Sequence, residues 1–207
     1  MTAEPNGPSP VFVVEDDDAM RDAIEALLRM CGHDVRSYVN GAAFMAAIGE
    51  AQTGCIVMDV RMPEIDGLAF QRHMAEAGIA LPIIFISGYA DVALSVTAMR
   101  QGAFMFLTKP FRDQDLLDAV SDALRSERET RGHRVEAAAA RAAFAALTPR
   151  ERQIMTDMTH GEPNKVIAAR LDLSEAMVKV IRAGIMRKMN ASSLPHLTRL
   201  AERHGLT

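Results

Sequence analysis

Two hydrophobic periods alternate along the first 125 residues, and few folds accept that pattern. The β-branched run Val11–Val14 is followed by apolar residues at Met20, Ile24, Leu27, Leu28 and Cys31, whose spacing traces one face of a helix. Gly32 stops that helix, Asp34–Tyr38 reads as a weaker second strand, and Asn40 is placed to cap a short helix over Ala42–Ile48. The cycle continues with strand Cys55–Met58 and helix Asp66–Ala77, then strand Ile83–Ile86 and helix Asp91–Gln101, then strand Phe104–Leu107 and a helix from Asp113. Five strands alternating with five helices specify βα units around a parallel sheet. The unbroken apolar runs VFVV, IIFI and FMFL suit strands covered on both faces. A doubly wound, five-stranded α/β domain is therefore expected.

From Asp113 to Ala146 only Gly132 interrupts strong helix formers. The last helix either runs on as a connector, at about 1.5 Å per residue, or breaks near Gly132. Four short helices follow, at about 149–159, 164–171, 175–189 and 194–204. Thr148 is a suitable N-cap, Pro149 fits the first helical position, and Glu151 completes a capping box. Asn164, Ser174 and Ser193 are suitable caps for the other three. The tight Leu171-Asp172-Leu173 connection is that of a helix-turn-helix. The expected organisation is an α/β domain over 9–125, a helical linker over 126–146 and an all-α four-helix domain over 147–207.

A formal net charge of −4 would by itself argue against a nucleic-acid partner. That total is the difference between unlike parts. Residues 1–125 hold 9 Lys and Arg against 18 Asp and Glu, whereas residues 148–207 hold 10 against 6. An acidic front joined to a basic tail suits a tail that meets a polyanion. The 49% apolar content excludes wholesale disorder. No apolar run approaches the roughly 18–20 residues of a membrane span, and MTAEPNGPSP lacks the pattern of a signal peptide. Cys31 and Cys55 cannot make a disulfide framework, and both are expected to be buried thiols in a reducing cytoplasm.

In an open α/β sheet the functional crevice lies beyond the carboxyl ends of the strands. The first strand exits through Glu15-Asp16-Asp17-Asp18, the third at Asp59, the fourth at Ser87, and the fifth through Thr108 into Lys109-Pro110. Clustered carboxylates repel one another unless a cation neutralises them, and an all-oxygen site suits Mg²⁺, which takes only one or two protein carboxylates. A carboxylate at such a site can act as a nucleophile towards a phosphoryl group. Lys109 and the cation would offset charge on the phosphoryl oxygens, and Ser87 would supply a hydroxyl. Met62-Pro63 and Gly67 are read as shaping the loop after Asp59, and Asp66 as the cap of the next helix.

The segments VVEDD, VMDVRMPEIDGL, IIFISGYAD and FLTKPF, in that order and spacing, resemble the flavodoxin-like receiver domain of two-component response regulators over about residues 9–125. The resemblance implies that Asp59 is the phosphoacceptor for a partner histidine kinase. It implies a Mg²⁺ site built by Glu15, Asp16, Asp59 and the main-chain carbonyl of Arg61, with Asp16 a direct ligand. Ser87 and Lys109 fill the family's hydroxyl and lysine positions, and Phe106 its aromatic switch position. Phosphorylation would then shift Ser87 and Phe106, remodel the face formed by the fourth helix, fifth strand and fifth helix, and change dimerisation or release the basic tail.

Residues 147–205 resemble the helix-turn-helix of the LuxR/FixJ class through LTPRE, NKVIA and MRKM. Helix 175–189 would bury Val178, Ile181, Ile185 and Met189 and present Lys179, Val180, Arg182 and Ala183 to a major groove, after Ser174, with Lys165 and Lys188 near phosphates. Members of the class usually carry S-x-x-T-V-x-x-H where this chain has Ser174-Glu175-Ala176-Met177-Val178-Lys179-Val180-Ile181. Met177 replaces a hydroxyl, Ala176 a possible cation and Ile181 the histidine, which should weaken phosphate binding. The resemblance thus implies a phosphorylation-switched transcription regulator, homodimeric on phosphorylation and bound to double-stranded promoter DNA. The rival is a receiver-controlled signalling protein whose helix-turn-helix docks a protein partner. A hydrolase acting on small substrates is disfavoured because no second general acid or base is evident. Slow self-dephosphorylation is the most chemistry expected of the aspartyl phosphate.

Overall fold

The alternating periods fold as βα units in the computed structural model, which describes residues 9–48, 53–62, 67–88 and 92–206. Strands β1 (Val11–Val14), β2 (Val35–Tyr38), β3 (Cys55–Asp59), β4 (Ile83–Ser87) and β5 (Met105–Thr108) form one parallel sheet of order β2-β1-β3-β4-β5. Helices α1 (Asp18–Met30), α2 (Gly41–Ala47), α3 (Gly67–Glu76), α4 (Val92–Arg100) and the first part of α5 (Asp113–Ala145) alternate with them. Side chains of successive strand residues go to opposite faces, so each face has its own core. Phe12, Val14, Met58 and Phe85 join Phe44 and Phe70 on one face; Val11, Val13, Val57 and Ile84 join Ile24, Leu28, Leu116 and Val120 on the other.

β1, β3 and β4 are buried along their full length, as continuous apolar runs require. The FMFL run departs from that expectation: Met105, Phe106 and Leu107 are only half-buried, because β5 is an edge strand. Two glycines are fixed by close approach. A Cβ on Gly54, whose φ is +126°, would lie 2.1 Å from the Pro10 carbonyl oxygen. One on Gly67, the first residue of α3, would meet the Val60 Cα at 3.0 Å. Pro63 and Asp66 lie outside the described residues.

Asn40 caps α2 as expected, its side chain accepting from the Ala43 amide at 2.8 Å. The two thiols differ, which corrects the expectation that both are buried. Cys55 sits inside β3, but Cys31 is exposed, because it is the C-cap residue of α1, past the last turn that the core covers. Burial, with the Glu127 carboxylate nearby, pushes the Cys55 thiol up to about 12. A thiol-disulfide reagent at pH 8 is therefore expected to titrate Cys31 promptly and Cys55 only after denaturation, read as one thiol and then two.

Of the two forms open to the stretch around Gly132, the unbroken helix is the one found: α5 runs for 33 residues through that glycine. The chain divides into two compact units, with the break between Thr130 and Arg131. In the second unit, the end of α5 packs Ala140 and Phe144 with α6 (Pro149–Thr159), α7 (Asn164–Leu171), α8 (Glu175–Lys188) and α9 (Leu194–His204). Its core is Ile154, Ile167, Val178, Ile185 and Leu197, all fully buried. The Thr148–Glu151 capping box is complete, and Ser174 and Ser193 cap α8 and α9. Asn164 does not cap α7. The extended residue at that boundary is Pro163, so Asn164 already lies within the first helical turn.

Candidate functional site

Strand order reverses between β1 and β3, where β2 lies to one side and β4 and β5 to the other. The carboxyl ends of β1 and β3 therefore flank a switch point, the crevice that open α/β sheets use for ligands. β1 leads into Glu15 and Asp16, and β3 ends on Asp59, in register with Ile86 of β4. One carboxylate oxygen from each of Glu15, Asp16 and Asp59 lies within 4.8 Å of the others. Glu15 is buried and Asp16 exposed, so the cluster has an interior wall and an open mouth.

Lys109 follows β5 and reaches across this group. Its Nζ donates to Glu15 Oε2 at 2.8 Å and to Asp59 Oδ2 at 2.6 Å. Burial pushes the Glu15 carboxyl up, against the opposing pull of the Lys109 hydrogen bond. For Lys109 burial disfavours the charged form, but the hydrogen bonds to Asp59 and Glu15 outweigh it and hold the ammonium above its ordinary range. The Arg61 amide donates to Asp59 Oδ1 at 2.8 Å. Ser87 is fully buried at the end of β4, one residue past the register partner of Asp59. Phe106 is half-buried against the core that holds Met58 and Phe85.

Sequence reasoning missed Arg21. From the first turns of α1 its guanidinium donates to the Glu15 carbonyl at 2.9 Å and to the Asp18 carboxylate, tying the acidic loop to its helix. The Asp18/Arg21 spacing of i, i+3 was the available signal. The donor set is all oxygen, three carboxylates with one at the solvent edge, which fits a hard divalent cation such as Mg²⁺.

In the helical unit Lys165, Lys179, Val180 and Ala183 are exposed and Arg182 is half-buried. Ser174 accepts from the Met177 amide at 3.1 Å. Lys188 instead lies 2.8 Å from both carboxylate oxygens of Glu151, tying α8 to the capping box of α6. Ile181 packs partly against the core, so the apolar residue at that position faces protein. Asp157 and Arg170, 2.6 Å apart, join α6 to α7, a pair that no local spacing signals.

Residues 11–121 match the family described as the response regulator receiver domain, and residues 145–201 match bacterial regulatory proteins of the luxR family. The chain is a response regulator. It is 41% identical over 195 residues to the response regulator protein TmoT of Ectopseudomonas mendocina, covering 94% of this chain and 89% of that one. It is 39% identical over 196 residues to the transcriptional regulatory protein FixJ of Bradyrhizobium diazoefficiens, covering 95% and 96%. Among solved structures, the response regulator StyR superposes with a TM-score of 0.86 at 37% identity, over 95% of this chain and all of that one. A receiver joined to a LuxR-family helix-turn-helix makes this response regulator a phosphorylation-regulated transcriptional regulator. Among the described residues no helix is long and apolar enough to cross a membrane.

Proposed function

We propose that Asp59 of this response regulator accepts a phosphoryl group from the phosphohistidine of a partner kinase. The carrying observation is Lys109 Nζ held between Glu15 and Asp59 at the carboxyl ends of the strands. In this reading an Asp59 carboxylate oxygen attacks phosphorus, the phosphorus–nitrogen bond breaks, and the imidazole leaves with the bonding pair. Lys109, already on Asp59 Oδ2, is in reach of an oxygen of the new acyl phosphate, and the buried Ser87 hydroxyl is the second donor. Glu15, Asp16, Asp59 and the Arg61 carbonyl would hold Mg²⁺, which when bound offsets the charge on the phosphoryl oxygens. Slow hydrolysis of the aspartyl phosphate is the only turnover in this scheme.

Residues 9–125 are the phosphoacceptor module in this reading, 126–146 the connector and 147–207 the DNA-binding module. Phosphorylation shifts Ser87 and Phe106 and drives homodimerisation, which suits a helix-turn-helix reading paired half-sites. α8 enters the major groove of promoter DNA with Lys179, Val180, Arg182 and Ala183, while Lys165 meets phosphates. Lys188 takes that second role only by exchanging its Glu151 partner. The location that goes with this role is the cytoplasm.

The test is intact-mass analysis after incubation with a small phosphodonor and Mg²⁺. One added phosphoryl group is expected on the wild-type chain and none on Asp59→Ala; equal labelling of the variant refutes the assignment. Duplex DNA binding by the phosphorylated full chain is expected to fall as salt rises. No binding at low salt would favour a protein partner for the helical module.

A further inference from the structure

Met177 and Val180 are 49% and 67% exposed on α8, and Ala176 and Ala183 are exposed beside them. Residues 176, 180 and 183 follow an i, i+4, i+7 spacing, so they form one stripe, with Met177 on its flank three residues before Val180. The stripe lies opposite Val178 and Ile185, which are buried in the helical core. Three basic side chains on α8 (Lys179, Arg182 and Arg187) stand against one acidic side chain, Glu175, while Lys188 is paired with Glu151, and Lys165 of α7 is also exposed.

We propose that this stripe reads the 5-methyl groups of thymines in the major groove, with Val180 and Met177 as the specificity-determining side chains. The inference rests on the reading that α8 enters duplex DNA, and it names what the helix recognises there. The basic surround selects a polyanion over an apolar protein groove. Valine, methionine and alanine have no hydrogen bond to offer a base edge, and the apolar feature of a base edge in that groove is the thymine methyl. From Met177 to Ala183 the helix rises about 9 Å, roughly three base-pair steps, so a short thymine-containing run lies within its reach. The same substitution that removes a hydroxyl at position 177 supplies a long, flexible apolar side chain suited to a methyl contact.

The test begins by selecting duplexes from a randomised pool with the phosphorylated full-length chain. The enriched duplex is then synthesised with thymine or with uracil at each major-groove position, which deletes one methyl and changes nothing else on the base edge. Wild-type affinity is expected to fall about fourfold per contacted methyl. The doubly substituted Met177→Ala, Val180→Ala chain is expected to lose most of that preference for thymine over uracil, with a salt slope equal to that of wild type because no phosphate contact is lost. Both positions are exposed and alanine favours helix, so the variant keeps its fold. The thymine-to-uracil comparison on the wild-type chain does not depend on it. Equal affinity of the wild-type chain for both duplexes overturns the inference while leaving the DNA reading intact. Failure to enrich any sequence overturns the DNA reading and the inference together.

Discussion

Lys109→Ala is expected to slow phosphoryl labelling of Asp59 by roughly 10²-fold, the cost of removing one preorganised cationic donor from a developing phosphoryl charge. The same change should destabilise the receiver. In the wild-type chain Lys109 Nζ is shared by Glu15 Oε2 at 2.8 Å and Asp59 Oδ2 at 2.6 Å. Removing it leaves two neighbouring carboxylates, one of them almost fully buried, with no cation between them. A fully buried pair broken in this way costs about 3–5 kcal/mol. The pocket has an open mouth, so about 2 kcal/mol is expected in metal-free buffer at pH 7. The pH dependence fixes the sign. The lysine is held above its ordinary range, so its charge persists throughout the physiological range. Burial raises the Glu15 carboxyl, so its charge is lost as pH falls, and a protonated carboxyl no longer needs the ammonium. The stability difference between variant and wild type should therefore shrink between pH 7 and pH 4. Urea denaturation of both chains at those two pH values measures it, and a difference that stays constant would refute the electrostatic account. Added Mg²⁺ should recover part of the loss, since a ligand that binds only the folded form stabilises it.

The pocket was legible in the sequence because strand ends are local features. Four short apolar runs each end on a polar residue, and the parallel topology makes those ends converge whatever happens elsewhere. What escaped were contacts between elements or beyond an element's end. Arg21 lies outside the apolar spacing of α1, and only the fold places its guanidinium on the Glu15 carbonyl. Cys31 continued the apolar spacing of α1, but the helix has ended by that residue and the thiol is exposed. The FMFL run is as apolar as IIFI, yet an edge position leaves it half-buried, and strand order is not written in the run itself. Lys188 carried a charge suited to phosphate, while its partner Glu151, 37 residues earlier, was read only as half of a capping box.

The aromatic group beneath α2 should set the stability of the receiver more than any polar contact does. α2 has only seven residues, too few to hold a helix in water without tertiary support. Its support is Phe44, fully buried and edge-on to Phe12 at 5.4 Å, to Tyr38 at 5.4 Å and to Phe70 at 5.7 Å between ring centroids. Phe44 thus joins β1, β2 and α3 through one side chain. Phe44→Ala removes a large buried side chain and leaves a cavity walled by Phe12 and Tyr38 of the sheet and Phe70 of α3. The expected cost is about 3–5 kcal/mol. For a domain of this size that lowers the receiver's Tm by roughly 10–15 °C in calorimetry. Phe44→Leu fills part of the space and should recover about half of the loss. None of Phe12, Tyr38 and Phe70 contributes a side chain to the carboxylate cluster. Folded Phe44→Ala chain, kept well below its melting temperature, should therefore still take up one phosphoryl group at Asp59. A variant that labels poorly while folded would mean that α2 packing and the acidic pocket are coupled.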